Sequence, residues 1–184
     1  KEFHGRMEFS GTFNGKPVSR LHIPVFLFGK SVASGKTMTL EAISDPKRWR
    51  NNSSGNMTAA YDEKEGAIRF DVEFPQHGDR WIYPEFILKP RESFRRARGV
   101  AFEIKTVPSM PKEAVFMAVM GREKEHGRAV FIRFPMPSAE WEERIISFDE
   151  FVPNPENIEM IRLGVNPKSD RQSYWVRNLR VFYR

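Results

Sequence analysis

Apolar and polar residues alternate with a period of two along most of the chain, which is the pattern of half-buried β-strands. In residues 67–74, for example, Ile68, Phe70, Val72 and Phe74 share one side, and charged residues occupy the other. Nine such segments, separated by turns rich in Gly, Pro, Asn and Asp, span residues 57–62, 67–74, 80–88, 99–106, 114–121, 128–134, 144–148, 160–166 and 173–183. The pattern predicts an all-β chain, a two-sheet antiparallel β-sandwich with little helix. The segment PRESFRRAR (residues 90–98) is the candidate for a short helical turn.

Residues 1–42 have a less regular spacing of predicted strands and turns. A strand is predicted over residues 7–13, a tight turn at Asn14-Gly15, a returning strand over 18–28 and a short strand over 37–43. We predict that residues 1–42 are an N-terminal β-hairpin extension or the tail of a preceding domain, and that residues 43–184 form the sandwich. Because the chain begins with Lys1, we also expect it to be part of a longer polypeptide.

The segment RWIYPEFIL (residues 80–88) carries the first candidate site. Alternation puts Ile82, Phe86 and Leu88 on a core face, and it puts an indole, a phenol and a carboxylate on the opposite face. These three groups belong to Trp81, Tyr83 and Glu85. A flat aromatic ring packs against the C–H patches of a sugar ring, and polar neighbours bind its hydroxyls. The alternative is ordinary packing of half-exposed aromatic side chains.

The closing segment, SYWVRNLRVFY (residues 173–183), adds a second set of outward side chains. Tyr174 and Val176 share one face, and the alternation changes phase near Asn178, which predicts a β-bulge. If the outward residues of these strands share one sheet, they line an aromatic and polar groove, with the members Trp81, Tyr83, Glu85, Glu103, Lys105, Arg162, Asn166, Trp175 and Arg177.

Composition and motifs exclude several classes of site. Lysine and arginine total 30 against 24 acidic residues, a net charge of +6, which permits an anionic partner without requiring one. There is no cysteine, so thiolate chemistry and disulfides are absent. The four histidines lack metal-ligand spacing, and no Gly-x-Ser-x-Gly elbow occurs. Trp49, in a polar turn-rich segment, is interpreted as a plug at one end of the core, and contact with a ligand is the alternative.

The runs GAIRFDVEF, DRWIYPEFIL, RRARGVAFEIKT and IEMIRLGVNPKSDRQSYWVRNLRVFY resemble β-jelly-roll carbohydrate-binding modules of the galactose-binding-like class, which accompany bacterial glycoside hydrolases. The resemblance covers roughly residues 45–184. It implies a jelly roll of two antiparallel sheets whose concave face binds a glycan.

Such modules often end in an Ile-Asp-Asn segment whose acid helps to hold a structural calcium. The matching stretch here is Val176-Arg177-Asn178, and an arginine cannot ligate calcium. Asp45, Asp62 and backbone carbonyls are the remaining candidate ligands. We therefore expect no cofactor, with calcium possible but unsupported, and assign no metal ligand.

The first functional hypothesis is a non-catalytic carbohydrate-binding module of a larger glycan-processing protein, extracellular or periplasmic in a bacterium. Its expected partners are a glycan and the catalytic domain of the parent polypeptide, without nucleic acid or membrane insertion. The assigned carbohydrate-binding residues, with no catalytic residue among them, are Trp81, Tyr83, Glu85, Glu103, Asn166, Trp175 and Arg177. Two alternatives stay open: a jelly-roll polysaccharide lyase with Tyr83 as its base, and a structural accessory sandwich.

Overall fold

The structure, a computed structural model, contains two compact units, residues 1–36 and residues 37–184. It describes residues 3–9, 12–14, 16–17, 21–27, 36–77, 80–107, 114–122, 129–148, 155–167 and 169–183. The prediction of a domain boundary at residue 42 stays a prediction.

The first unit contains two antiparallel strand pairs. Strand β1 (Phe3–Phe9) pairs with β4 (Leu21–Leu27), and β2 (Thr12–Phe13) pairs with β3 (Lys16–Pro17). Asn14, between β2 and β3, has a φ of 50°, a left-handed conformation that asparagine tolerates better than most residues. Of the tight turn predicted at Asn14-Gly15, Asn14 is confirmed as a turn residue, and Gly15 lies outside the described residues.

The second unit is built from two antiparallel sheets. Its strands are β5 (Thr37–Thr39), β6 (Trp49–Asn51), β7 (Asn56–Asp62), β8 (Ala67–Glu73), β9 (Pro84–Ile87), β10 (Ala97–Val107), β11 (Val115–Gly121), β12 (Val130–Pro135), β13 (Glu142–Ser147), β14 (Met160–Asn166) and β15 (Arg171–Tyr183). The six-stranded sheet has the order β13-β10-β15-β8-β7, with β5 paired to β15. The five-stranded sheet has the order β12-β11-β14-β9-β6. Short 3₁₀ turns are the helical elements of the described residues, and the predicted sandwich is confirmed.

The two sheets pack face to face over one apolar core, to which each strand contributes alternate residues. Phe70 and Tyr174 from the six-stranded sheet meet Phe86 and Phe116 from the five-stranded sheet in this core. Each of these side chains is fully buried, which stabilises the fold by roughly 1.5–3 kcal/mol per side chain. The Tyr174 hydroxyl donates to the Leu163 carbonyl at 2.8 Å and so links the sheets. Burial raises the pKa of Tyr174 well above its ordinary value.

Trp49 fills one part of this core. Its side chain is 6% exposed and meets the Phe70 ring edge to face, with 4.9 Å between centroids. The indole nitrogen donates to the Ile43 carbonyl at 2.7 Å. The interpretation of Trp49 as a core plug is confirmed, although the short strand that carries it, β6, was not expected.

The β-bulge expected near Asn178 is present. Ala101 pairs with Arg180 and Glu103 pairs with Arg177, so β15 has one more residue than β10 between these two pairs. Asn178 has a φ of 52°, which fits the extra residue. The bulge turns Leu179 and Val181 into the core, as the phase change predicts.

Two predicted segments are shorter than expected. The strand predicted over residues 80–88 is reduced to β9, and Ile82 holds the preceding part in register through a bridge to Val165. The helical turn predicted over residues 90–98 is a 3₁₀ turn at Pro90–Glu92, because the chain enters β10 at Ala97. In the described part of the chain, no helix has the length and apolar character needed to cross a bilayer.

Candidate glycan-binding face

The seven candidate residues lie on two opposite faces of the sandwich. The five-stranded sheet carries Glu85 on β9 and Asn166 on β14, and the segment just before β9 carries Trp81 and Tyr83. The six-stranded sheet carries Glu103 on β10 and Trp175 and Arg177 on β15. Both sets point away from the shared core. The outward residues therefore do not share one sheet, and the hypothesis of a single groove is wrong, because strand pairing puts β9 and β14 in one sheet and β10 and β15 in the other.

We call the outer face of the five-stranded sheet the Trp81 face. Its outward residues are Arg50, Trp81, Tyr83, Glu85, Ile87, Val115, Met117, Val119, Phe131, Arg133, Met160, Arg162, Gly164 and Asn166. We call the outer face of the six-stranded sheet the Trp175 face. Its outward residues include Arg69, Asp71, Glu73, Glu103, Lys105, Glu143, Arg171, Ser173, Trp175, Arg177 and Arg180, and Glu65, in the turn between β7 and β8, reaches it through an ion pair with Lys105.

Trp81 and Tyr83 form a flat aromatic pair on the Trp81 face. Their ring planes differ by 6° and their centroids are 5.7 Å apart. Both residues lie on the same side of an extended segment, two positions apart, so their side chains are neighbours. Each is partly exposed. The pair therefore offers an aromatic surface larger than a single ring.

Gly164 explains why the Tyr83 ring lies flat. A Cβ at Gly164 would be 2.5 Å from Tyr83 Cε1 and 3.0 Å from the Ile82 carbonyl oxygen. The Tyr83 ring therefore covers the backbone of Gly164, which leaves no room for a side chain. Sequence analysis missed Gly164, although a glycine at an outward strand position signals the close approach of another group.

Buried apolar side chains support this aromatic pair. Met117, Val119 and Met160 form a cluster on the Trp81 face, separate from the main core, and Trp81 and Tyr83 pack against it. The Tyr83 hydroxyl lies 3.9 Å from Sδ of Met117. Asn166, on β14, is partly exposed. Because Ile82 pairs with Val165 in an antiparallel bridge, Asn166 lies opposite Trp81.

Glu85 is buried beside the aromatic pair, with 1% of its surface exposed. Its two oxygens accept from Nε of Arg162 and Nε of Arg50, each at 2.5 Å. With its amide turned so that the oxygen faces Arg162, Asn52 accepts from Arg162 Nε at 3.1 Å. Because both carboxylate oxygens are bound to guanidinium groups, Glu85 positions the arginines and is poorly placed to bind sugar hydroxyls directly.

On the Trp175 face the aromatic rings are covered by charged groups. Trp175 is 8% exposed, its indole donates to Asp62 at 2.8 Å, and Lys105 Nζ is 5.3 Å from its ring. Arg177 Cζ lies 3.9 Å above the ring of Trp141, a residue that sequence analysis did not single out. Such cation–π contacts stabilise the fold and occupy the ring faces that a sugar would need.

The charges of the Trp175 face are paired with one another. The pairs are Arg171–Glu73, Arg69–Asp71, Lys105–Glu65, Arg177–Glu103 and Arg180–Glu143. Burial by itself favours a higher pKa for Glu103. The hydrogen bonds from Asn178 and Arg177 together have the larger effect, so the pKa of Glu103 is lowered. The Lys105 hydrogen bond likewise lowers the pKa of Glu65. The positive and negative charges of this face therefore neutralise one another, and Glu103, Trp175 and Arg177 take part in its ion pairs, hydrogen bonds and cation–π contacts.

The two acids considered as calcium ligands have other hydrogen-bond partners in the structure. Asp62 accepts the indole hydrogen of Trp175, which lowers its pKa, and Asp45 caps a turn by accepting from the Lys47 amide at 3.0 Å. Within the described ranges, no three acidic or histidine side chains are grouped as a metal ion requires.

No protein-family model and no curated protein sequence matches the chain, so the comparisons rest on solved structures. One similar structure is the family 11 carbohydrate-binding module of a cellulosomal cellulase of Clostridium thermocellum, with a TM-score of 0.59 and 11% identity over 82% of this chain and 96% of that one. A family 11 carbohydrate-binding module from the same organism, with a TM-score of 0.59 and 11% identity over 80% of this chain and 95% of that one, has been solved in complex with a β-1,3-1,4-mixed-linked tetrasaccharide.

Family 29 carbohydrate-binding modules are similar as well. A variant complexed with mannohexaose has a TM-score of 0.52 and 18% identity over 80% of this chain and 91% of that one. A second variant, complexed with cellulohexaose, has a TM-score of 0.50 and 18% identity over 80% and 90% of the two chains. At these identities the likeness concerns the fold. The chain has the jelly-roll β-sandwich fold of carbohydrate-binding modules of families 11 and 29.

Proposed function

We propose that this chain is a non-catalytic carbohydrate-binding module that binds a polysaccharide or oligosaccharide on the Trp81 face. The observation that carries the proposal is the flat, partly exposed pair formed by Trp81 and Tyr83. A sugar ring placed on this pair buries its C–H patches against two aromatic surfaces. Asn166 lies beside the pair and offers both a donor and an acceptor to hydroxyl groups.

Affinity on such a site is modest. Two rings supply most of the contact, and binding must offset the ordering of a flexible glycan. We expect dissociation constants in roughly the micromolar to millimolar range, which corresponds to about −8 to −4 kcal/mol. Attachment to an insoluble or repetitive polymer raises the effective affinity through repeated contacts.

The ligands of the structural neighbours support an extended glycan as the ligand. The family 11 module binds a mixed-linked tetrasaccharide, and the family 29 variants bind mannohexaose and cellulohexaose. Fold alone does not establish function, so the proposal depends on the aromatic pair in this chain. Because the similar family 11 module belongs to a cellulase, we also propose that this chain is part of a larger glycan-processing protein that acts outside the cytoplasm.

The Tyr83 contact does not favour the lyase alternative. A lyase would use the Tyr83 hydroxyl as a base, with basic or amide neighbours in reach. Here that hydroxyl lies against the thioether of Met117, which takes no part in proton transfer. A structural sandwich remains the rival that the binding experiment must exclude.

A glycan-array screen of the whole chain tests the proposal, with the variant Trp81→Ala beside it. Tyr61→Ala is the matched control, because Tyr61 is 46% exposed on β7 of the other sheet. We expect wild type and Tyr61→Ala to bind the same glycan class, and Trp81→Ala to lose this binding while it remains folded. If wild type binds no glycan, or if Trp81→Ala binds the glycan as well as wild type does, the proposal fails.

A further inference from the structure

The charges of the two outer faces differ. On the Trp81 face, Arg50, Arg133 and Arg162 stand against the single acid Glu85, which leaves a net charge of +2 among its described outward residues. The Trp175 face pairs its cations one to one with acids. The excess positive charge therefore lies on the same face as the aromatic pair.

The Trp81 face also has an aromatic side chain far from Trp81. Phe131, on β12, is 58% exposed, and it lies opposite Val119 on the outward side. Arg133 follows two positions later, is exposed, and lies opposite Met117. Two positions along a strand separate same-side residues by about 6.6 Å, so the Phe131 ring and the Arg133 guanidinium are neighbours at the sheet edge.

One row of residues connects this edge to the aromatic pair. Met117 pairs with Arg133 on one side and with Gly164 on the other, and the Tyr83 ring covers Gly164. The row crosses from the segment before β9 to β14, β11 and β12, a distance of roughly 14 Å for three strand spacings. A single sugar ring cannot reach both ends, but an oligosaccharide lying across the strands can.

We propose that the glycan bound by the Trp81 face is acidic, and that Phe131 and Arg133 form a second subsite that recognises a carboxylated sugar unit. This inference rests on the proposed function and names its ligand class. The Phe131 ring would pack against the sugar, and the Arg133 guanidinium would bind the carboxylate, for which its planar geometry is suited. The guanidinium excess around Glu85 adds attraction near Trp81 and Tyr83.

Pairs of polymers that share a backbone and differ in charge test the inference. Suitable pairs are polygalacturonate with its methyl ester, and carboxymethyl cellulose with hydroxyethyl cellulose. Affinities are measured by titration calorimetry at low and high salt for wild type and Arg133→Gln. Arg95→Gln is the matched control, since Arg95 is exposed in the loop after β9 and its loss changes the net charge equally.

We expect the acidic member of at least one pair to bind more tightly, with a preference that weakens at high salt. Arg133→Gln should reduce that affinity about fivefold, the value of a good exposed charge pair, and leave the neutral polymer unaffected. Arg95→Gln should change neither affinity. Phe131→Ala should weaken binding of both members, because it removes a ring and not a charge.

The possible failures are distinguishable. If neutral glycans bind on the array and the acidic polymers bind no better, the inference is overturned and the proposed function stands. Equal losses in Arg133→Gln and Arg95→Gln would show a general charge effect and would also overturn it. If no glycan binds at all, the proposed function itself fails.

Discussion

The ring of Tyr83 lies directly over Gly164, in the space that a Cβ at that position would occupy. This contact fixes the plane of Tyr83 against the sheet, and Trp81 stacks parallel to it. The orientation of the aromatic pair therefore depends on the backbone of β14 at Gly164 as well as on the segment that carries Trp81 and Tyr83. A residue with no side chain therefore shapes the candidate site.

Replacing Gly164 by alanine should displace the Tyr83 ring and weaken glycan binding about tenfold. A misplaced ring loses roughly 1–1.5 kcal/mol of stacking. Gly66→Ala is the control, because Gly66 has a φ of 61° and nothing lies within 4 Å of its added Cβ. It should cost roughly 1 kcal/mol of stability and leave binding intact. Unchanged binding in Gly164→Ala, measured by calorimetry, would show that the orientation of Tyr83 is unimportant.

Trp175→Phe should lower stability without lowering glycan affinity. The change removes the 2.8 Å hydrogen bond to Asp62 and part of a ring that is 8% exposed, for a cost of roughly 1–3 kcal/mol. Denaturant unfolding measures the first effect and calorimetry the second. A loss of affinity with little loss of stability would return Trp175 to the list of binding residues.

Glu85→Gln should destabilise the fold strongly. The substitution removes the charge that Arg50 and Arg162 share, and breaking a buried ion pair in this way costs about 3–5 kcal/mol. Glu73→Gln is the matched control, since the Arg171–Glu73 pair is largely exposed to solvent and contributes little to stability. Equal unfolding free energies for the two variants would disprove the structural role of Glu85.

Acid should destabilise the sandwich through carboxylates that are paired in the folded state. The hydrogen bond from Arg48 lowers the pKa of Glu92, and the hydrogen bond from Lys105 lowers that of Glu65. A lowered pKa in the folded state stabilises the fold above the ordinary glutamate value of 4.5, and the contribution is lost as the pH falls through the folded pKa. The unfolding free energy should therefore fall below about pH 4.5, and less steeply in Glu92→Gln. An identical pH profile for Glu92→Gln would rule out this contribution.

The sequence predicts most of the sandwich because each strand is long enough to show a period of two. Residues 67–74 and 160–166 reveal their core and outer faces directly, and the phase change at Asn178 reveals the bulge. Strand β6, at Trp49–Asn51, is too short for its alternation to stand out from a polar loop.

The alternation pattern could not predict which outward residues lie on the same sheet. Alternation assigns Trp81 and Trp175 to outer faces but contains no information about which sheet each strand joins. That choice is made by long-range pairing, which here puts β9 beside β14 and β15 beside β8 and β10. The cations that cover Trp141 and Trp175 come from distant positions such as Lys105, so the closure of that face emerges only in three dimensions.

The four tryptophans provide the most direct test of which face binds the glycan. Trp49 lies in the core, Trp81 on the five-stranded sheet, Trp175 on the six-stranded sheet, and Trp141 beneath Arg177. Their indole N–H signals, assigned with single Trp→Phe variants, are followed by NMR during titration with the glycan class found on the array. We predict that the Trp81 signal shifts with saturation while those of Trp49, Trp141 and Trp175 stay in place. Shifts at Trp141 and Trp175 with an unmoved Trp81 signal would contradict the account and assign binding to the opposite face.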